Sequence, residues 1–140
     1  MINRLGALGL IVVAALSIGC GDSGTVPSTV ERLDGTWSLL AFENTDGTVA
    51  SIENPSRYTA TFSNEGRVNL LADCNRCFGP FSTSGLELGV GNMGCTRAAC
   101  PAGSKSEDYI QAIAQASSYL RHDSQLFIYH PGGRLRLEQN

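Results

Sequence analysis

Apolar and β-branched residues occur in short runs from Leu33 onward, and turn residues interrupt these runs at intervals of about ten positions. In two runs joined by a tight turn, apolar side chains alternate with polar or exposed positions. A period of two predicts strands with one buried face. The predicted strands cover residues 36–42, 58–62, 68–72, 86–90, 126–130 and 135–138, with a turn-rich segment before residue 86.

The spacing of apolar residues changes to a helical period after Ser104. Ser104 and Glu107 have the spacing of a capping box, which satisfies free backbone N–H groups at a helix start. Apolar side chains then recur every three or four positions, at Tyr109, Ile113, Ala116 and Leu120. The pattern predicts one amphipathic helix over residues 105–118.

Six to eight strands and a single helix predict a mainly β fold. Such a chain must protect its sheet edges and bury one face of each strand. A small antiparallel β-barrel, closed or nearly closed, does both. The folded part has about 110 residues, which is the usual size of one domain.

The N-terminal segment has the pattern of an export signal. Arg4 precedes an apolar run from Leu5 to Ile18, which is shorter than the ~20 residues needed to span a bilayer. Cys20 follows this run directly after a glycine, as in a bacterial lipoprotein signal. We therefore expect residues 1–19 to be removed and Cys20 to carry lipid. Because Leu16 lies one place further from the cysteine than usual, secretion without lipid is the alternative.

Residues 20–31 are rich in small residues and predict a lipidated flexible tether, followed by one domain over residues 32–140. The expected partner is a membrane, reached through the lipid on Cys20, and the domain is expected to be monomeric. The expected location is the cell envelope, at the outer membrane facing the periplasm. Inner-membrane and surface locations stay open because Asp22 is an ambiguous sorting signal.

Charge argues against nucleic acid as a partner. Removing the signal leaves 9 basic and 13 acidic residues, a net charge of −4 with neutral histidines. The arginines are scattered along the sequence, whereas a protein that tracks phosphates needs a basic cluster or stripe.

Four cysteines remain once Cys20 is assigned to lipid: Cys74, Cys77, Cys95 and Cys100. An even number in an exported domain favours two disulfides. Their spacing also suits a tetrahedral zinc site, and the CxxC of the first two is a weak sign of redox activity. The oxidising compartment favours structural disulfides.

Other possible sites are weaker. Gly89 to Gly94 spells GxGxxG, but no βαβ unit surrounds it, so a flexible loop is expected in place of a phosphate site. His122, beside Asp123, and His130 are expected at the surface. Trp37 is expected in the core. The sequence predicts no catalytic residue, no metal site and no cofactor.

Two motifs in the middle of the domain resemble the META/HslJ domain family. Asp73-Cys74-Asn75-Arg76-Cys77-Phe78-Gly79-Pro80-Phe81 is similar to the family's GCNxxxGxY stretch, and Thr96-Arg97-Ala98-Ala99-Cys100 to its TRMAC stretch. Leu33-Asp34-Gly35-Thr36-Trp37 is similar to its opening. The resemblance extends from about Leu33 to Leu137. Asp73, Phe81 and Ala98 stand where the family usually has Gly, Tyr and Met.

The resemblance implies a lipocalin-like barrel with one helix, found in bacterial envelope proteins linked to stress responses and novobiocin resistance. No general biochemical activity is established for the family, so the resemblance implies a fold and not a reaction. Its cysteines correspond to Cys74 and Cys100, which implies that these two pair. Cys77 and Cys95 then look like an added second bridge, nested inside the first.

These observations favour a non-enzymatic envelope lipoprotein that acts by binding or by supporting envelope integrity under stress. One alternative is a carrier that holds a small apolar ligand inside the barrel. Another is a protein inhibitor acting through a disulfide-held loop, either residues 76–81 or residues 92–97.

Overall fold

The computed structural model describes residues 32–140, which form an antiparallel β-barrel with one α-helix. The predicted fold class is confirmed. The strands, in chain order, are β1 Gly35–Asn44, β2 Val49–Ser51, β3 Tyr58–Phe62, β4 Arg67–Ala72, β5 Asn75–Ser84, β6 Glu87–Val90, β7 Gly94–Cys95, β8 Ser118–His122, β9 Gln125–His130 and β10 Gly133–Gln139. Helix α1 covers Ser106–Ala114, and a short 3-10 turn covers Pro55–Arg57.

Eight strands close the barrel in the order β1, β3, β4, β5, β6, β8, β9 and β10, with β10 pairing back to β1. β2 continues the wall by pairing with β1 beyond the residues that pair with β3, and β7 pairs with β5. The ring is uneven. β1 and β10 share seven residue pairs, whereas β6 and β8 are joined through one, Glu87 with Ser118. The seam between β6 and β8 is therefore the weakest part of the wall.

A β-bulge in β1 explains why its sequence does not alternate cleanly. The register with β10 shifts between Leu39 and Ala41, so the strand carries one extra residue there. Leu39 and Phe42 consequently both pack in the core although they are three positions apart. The bulge lets one strand contribute large side chains along the whole barrel.

The interior is filled by side chains. The largest fully buried ones are Trp37, Tyr109, Phe62, Leu39, Ile113, Leu126, Ile128, Leu135, Leu137 and Val68. Trp37, predicted in the core, is fully buried, and its indole N–H donates to the carbonyl of Leu33 at 2.9 Å. The N-terminal segment of the domain thereby caps one end of the barrel.

The helix covers the opposite end. Its buried residues include Tyr109, Ala112 and Ile113, and the ring of Tyr109 meets that of Tyr58 edge-on at 6.0 Å. The hydroxyl of Tyr58 accepts a hydrogen bond from the backbone N–H of Lys105 at 2.9 Å. No helix between residues 32 and 140 is long and apolar enough to cross a membrane.

The predicted helix was too long. It ends at Ala114, and Ser118 already begins β8, where it pairs with Tyr129. The apolar residues keep a helical spacing as far as Leu120. The backbone hydrogen bonds between β8 and β9 outweigh this local preference. The capping box is also absent, because Ser104 accepts from the N–H of Ser106 and the residue before the helix makes no side-chain cap.

The segment predicted to be rich in turns is largely the ten-residue strand β5. Gly79 faces the barrel interior, and a Cβ there would lie 2.8 Å from Cγ of Met93. Pro80 gives no backbone donor, but its carbonyl accepts from Gly91 at 2.9 Å. Both residues favour turns in sequence, yet here they serve close packing and a strand edge. The short strands β2 and β7 were not predicted.

Tyr109 and Tyr58 offer a matched pair of hydroxyl deletions. The hydroxyl of Tyr109 is buried without a hydrogen-bond partner among the described residues, and burial raises its pKa. We expect Tyr109→Phe to raise the free energy of unfolding by about 1 kcal/mol, and Tyr58→Phe, which loses a bond, to lower it by about 1 kcal/mol. Urea unfolding at neutral pH measures both.

The pH dependence has a defined sign. Because the folded pKa of Tyr109 is raised, its contribution is fully present below about pH 10, the ordinary tyrosine pKa, and is lost as pH rises above it. Tyr109→Phe should therefore remove part of the alkaline loss of stability. If Tyr109→Phe and Tyr58→Phe changed the free energy of unfolding by equal amounts of the same sign, the assignment of an unpaired buried hydroxyl to Tyr109 would be contradicted.

Candidate functional site

Two disulfides fix residues 92–101, here called the bridged loop, along the edge of β5. Cys74 is bonded to Cys100 with their Cα atoms 5.4 Å apart, and Cys77 to Cys95 with theirs 4.1 Å apart. Cys77 and Cys95 are also direct cross-strand neighbours on β5 and β7. These are the two nested pairs that the resemblance implied, and all four thiols are used in disulfides.

The side-chain amide of Asn75 organises the bridged loop from beneath. Its Oδ1 accepts from the backbone N–H of Ala98 at 2.7 Å and from the hydroxyl of Thr96 at 3.1 Å. Its Nδ2 donates to the carbonyl of Ala98 and to Oγ of Ser106, both at 3.2 Å. Asn75 is only 8% exposed, so these bonds are shielded from water. One amide joins β5, the loop and the start of the helix.

Thr96 extends the β5–β7 pairing by one residue. Its backbone N–H donates to the carbonyl of Arg76, and its hydroxyl oxygen accepts from the N–H of Arg76, both at 2.9 Å. Beyond Thr96 the loop is exposed from Arg97 to Ala99. The bridged loop therefore has a rigid base and an exposed surface.

Phe78 is an aromatic side chain held on the outer surface beside the loop. It is 56% exposed and pairs across strands with Gly94. A Cβ at Gly94 would lie 3.4 Å from the Phe78 ring, so the glycine leaves room for the ring to lie close to β7. Arg76, two residues earlier, points to the same outer side.

Asp73 closes the turn into β5 with a left-handed backbone, at φ +59°. Its N–H donates to the carbonyl of Arg57 at 2.7 Å, and its nearly buried carboxylate is paired with the guanidinium of Arg57. Aspartate tolerates this backbone region better than most residues. The conformation suited to glycine is thus retained, and the carboxylate adds an ion pair.

The two histidines lie apart. His122 is exposed at the end of β8, with Nδ1 3.1 Å from the carboxylate of Asp123. His130 ends β9, and its Nδ1 accepts from the N–H of Gly132 at 3.2 Å. Partial burial lowers the pKa of His130. The structure does not bring them together into one site.

The GxGxxG segment lies between strands. It begins in β6 and ends in β7, so its last glycine does not open a helix whose N-terminus could hold a phosphate. No group of three potential metal-binding side chains occurs within residues 32–140. Cys20, predicted to be lipidated, and the signal over residues 1–19 lie outside the described residues.

The profile of the META domain matches residues 29–140, which is most of the chain. The chain belongs to the META domain family. Among curated proteins, no sequence matches it.

Solved structures share the fold of this META domain. A Burkholderia xenovorans protein determined by NMR is 25% identical, with a TM-score of 0.64 over 76% of this chain and 82% of that one. A DUF4847 family protein from Bacteroides vulgatus is 14% identical, with a TM-score of 0.56 over 76% and 93%. A lipocalin-like protein from Bacteroides uniformis is 18% identical, with a TM-score of 0.53 over 77% and 98%.

The geometry gives the META motifs a physical role in this chain. Cys74 and Asn75 of the first motif bind Thr96, Ala98 and Cys100 of the second. The role of Asn75 was missed in the sequence, although its place beside a paired cysteine and before the partner motif that begins at Thr96 is the signal that could have found it. The motifs hold backbone in place and present no reactive group.

Truncating Asn75 should loosen the bridged loop even with both disulfides intact. We expect Asn75→Ala to lower the free energy of unfolding by about 3 kcal/mol, because the part-buried N–H of Ala98 and the buried hydroxyl of Ser106 are left unpaired. Amide exchange at Ala98 should speed up. The control is Asn69→Ala on the exposed face of β4, expected within about 0.5 kcal/mol of the unmodified chain. Equal effects of the two variants would exclude a special role for Asn75.

Backbone strain and the ion pair at position 73 can be separated. Asp73→Gly and Asp73→Ala both remove the contact with Arg57, but only alanine is strained at positive φ. We expect the glycine variant to be more stable than the alanine variant by about 1 kcal/mol, and both to be less stable than the unmodified chain. Thermal unfolding provides the comparison, and equal stability of the two variants would disprove the strain.

Proposed function

We propose that this chain is a non-enzymatic envelope lipoprotein whose META domain acts by binding, in support of envelope integrity under stress. The observation that carries the proposal is the bridged loop: two disulfides and the buried amide of Asn75 hold an exposed segment rigid at the edge of β5 in a filled barrel. A fixed surface reduces the entropy lost when it binds.

Export is supported by the disulfides. Paired cysteines persist in oxidising compartments and are rare in the cytosol. The structure uses Cys74, Cys77, Cys95 and Cys100 in two bonds, so Cys20 is left as the thiol for a lipid. The disulfides and the lipoprotein signal thus support the same location by independent routes.

Binding is favoured over catalysis by the contacts that the polar groups of the motifs make. Asn75 and Thr96 form hydrogen bonds with backbone groups and with each other. His122 and His130 occupy opposite ends of the β8–β9 hairpin. Catalysis needs a nucleophile, a base and an orienting group within hydrogen-bond reach, and these groups are arranged for support instead.

An inhibitor of another envelope protein is the second candidate. It is favoured by the exposure of residues 97–99 between Thr96 and Cys100, both of which are fixed. A carrier that uses the barrel interior has less support, because Trp37, Phe62 and Tyr109 with their neighbours fill that space.

The anchor is tested by Cys20→Ser. Radiolabelled palmitate should label the natural chain and leave the variant unlabelled, and the variant should move from the membrane fraction to the soluble periplasmic fraction. Loss of the acyl chains removes the apolar anchor, which is worth about 0.8 kcal/mol per buried CH₂. Label on the variant, or no label on either chain, would disprove lipidation at Cys20.

The same variant tests the stress role. In cells lacking the chain and challenged with heat or novobiocin, the natural chain should restore growth, and Cys20→Ser should restore less of it at equal protein level. Full rescue by the unanchored variant would contradict a role that depends on the membrane.

A further inference from the structure

Three arginines stand apart from the other cations of the domain. Six of the nine lysine and arginine side chains in residues 32–140 contact a carboxylate, an amide or a carbonyl oxygen: Arg32, Arg57, Lys105, Arg121, Arg134 and Arg136. The remaining three are Arg67, Arg76 and Arg97, all exposed and without a side-chain partner among the described residues.

These three come from neighbouring parts of the structure: β4, β5 and the bridged loop. On the outer faces of β4 and β5, Arg67 pairs with Pro80, and Asn69 pairs with Phe78 in the next outward row. Arg76 lies in the third outward row. The first and third rows are therefore about 13 Å apart along β5. Arg97 follows the residue that pairs with Arg76. We call Arg67, Arg76, Arg97 and Phe78 the arginine wall.

An exposed aromatic ring between cations suits the surface of an anionic bilayer. An apolar ring such as that of phenylalanine inserts at the boundary between headgroups and acyl chains, and arginines close to the surface are attracted by anionic lipids. Phe78 is 56% exposed and is placed close to Gly94, so its ring stays on the outer face. The wall therefore combines both features.

The chain enters the domain beside the wall. Arg32 and Leu33 line a cleft of about 360 Å³ together with Asn64 and Gly66, and the latter immediately precedes Arg67. Eleven residues separate Cys20 from Arg32. Fully extended, they reach at most about 40 Å. A lipid on Cys20 would thus keep the wall within reach of the bilayer and at a high effective concentration beside it.

We propose that the arginine wall docks on the anionic phospholipid surface of the membrane that holds the anchor. The inference rests on the proposed lipid anchor for its biological setting. Two carboxylates lie close to the wall residues in sequence. They are Glu65 in the β3–β4 turn and Asp73, which is paired with Arg57. Because the exported chain is acidic overall, attraction is confined to this side and orients the domain.

The test measures vesicle binding by the wall alone. The chain from residue 20 onward, carrying Cys20→Ser, is sedimented with vesicles of phosphatidylglycerol and phosphatidylcholine, or of phosphatidylcholine only, at low salt and millimolar lipid. We expect binding to the anionic vesicles and its loss at high salt. Since each cation near the bilayer is worth roughly a fivefold change in the binding constant, Arg67→Gln with Arg76→Gln should weaken binding about 25-fold.

A charge-matched control is available on the far side of the ring. Arg134→Gln with Arg136→Gln removes the same charge from β10, where both arginines contact Glu43, and should leave vesicle binding within about twofold. Thermal unfolding checks that both double variants are folded. Equal loss in both, or equal binding of the unmodified wall to both vesicle types, would overturn the proposal.

A photo-crosslinking aromatic residue at position 78 distinguishes the occupant in cells. Lipid adducts on the lipidated chain support the membrane, whereas one defined protein adduct in place of lipid overturns it and makes the wall a protein interface. Failure of the anchor is seen separately. If the natural chain carries no palmitate, the lipid on Cys20 is disproved. If the Cys20→Ser form still binds anionic vesicles, the wall remains a lipid-binding surface.

Discussion

The buried side-chain amide of Asn75 is the interaction on which the outer features of this domain depend. Disulfides limit how far the bridged loop can move from β5, but they do not set its orientation. The amide does, because it bonds both backbone groups of Ala98 and the side chains of Thr96 and Ser106. Its position at the start of β5 joins the loop to the helix that covers the barrel end.

Closure of the barrel around a filled core leaves the outer surface as the region open to partners. The bulge at Leu39–Ala41 lets β1 contribute to the core along its length, and the core leaves no large space for a guest beside Trp37 and Tyr109. Because apolar side chains fill the interior and stabilise the fold, the polar and charged groups that can contact other molecules lie on the surface. That surface differs from side to side, since Glu43 pairs with two arginines of β10 while the arginines of β4 and β5 face solvent.

Much of the architecture could be predicted because its signals are local. The strand Tyr58–Phe62 has the predicted bounds, and residues 68–72 lie within β4. The helix was placed to within one residue at its start and wrongly at its end, since Ser118 pairs in β8 with Tyr129, and the helical spacing before Ser118 does not show that pairing. β5 was missed because Gly79 and Pro80 favour turns locally, and only their neighbours show why a strand accepts them.

The sequence by itself determined the fold class, the family motifs and the cysteines available for pairing, because alternation, composition and motif order are properties of neighbouring residues. Only the tertiary structure decided which polar groups find partners. Glu43 meets Arg134 across 91 positions, and Asp73 keeps a left-handed turn with the help of Arg57. Arg67, Arg76 and Arg97, which have no side-chain partner among residues 32–140, form a group only when β4, β5 and the bridged loop lie side by side. Ion pairing depends on distances in space, and spacing along the chain does not give those distances.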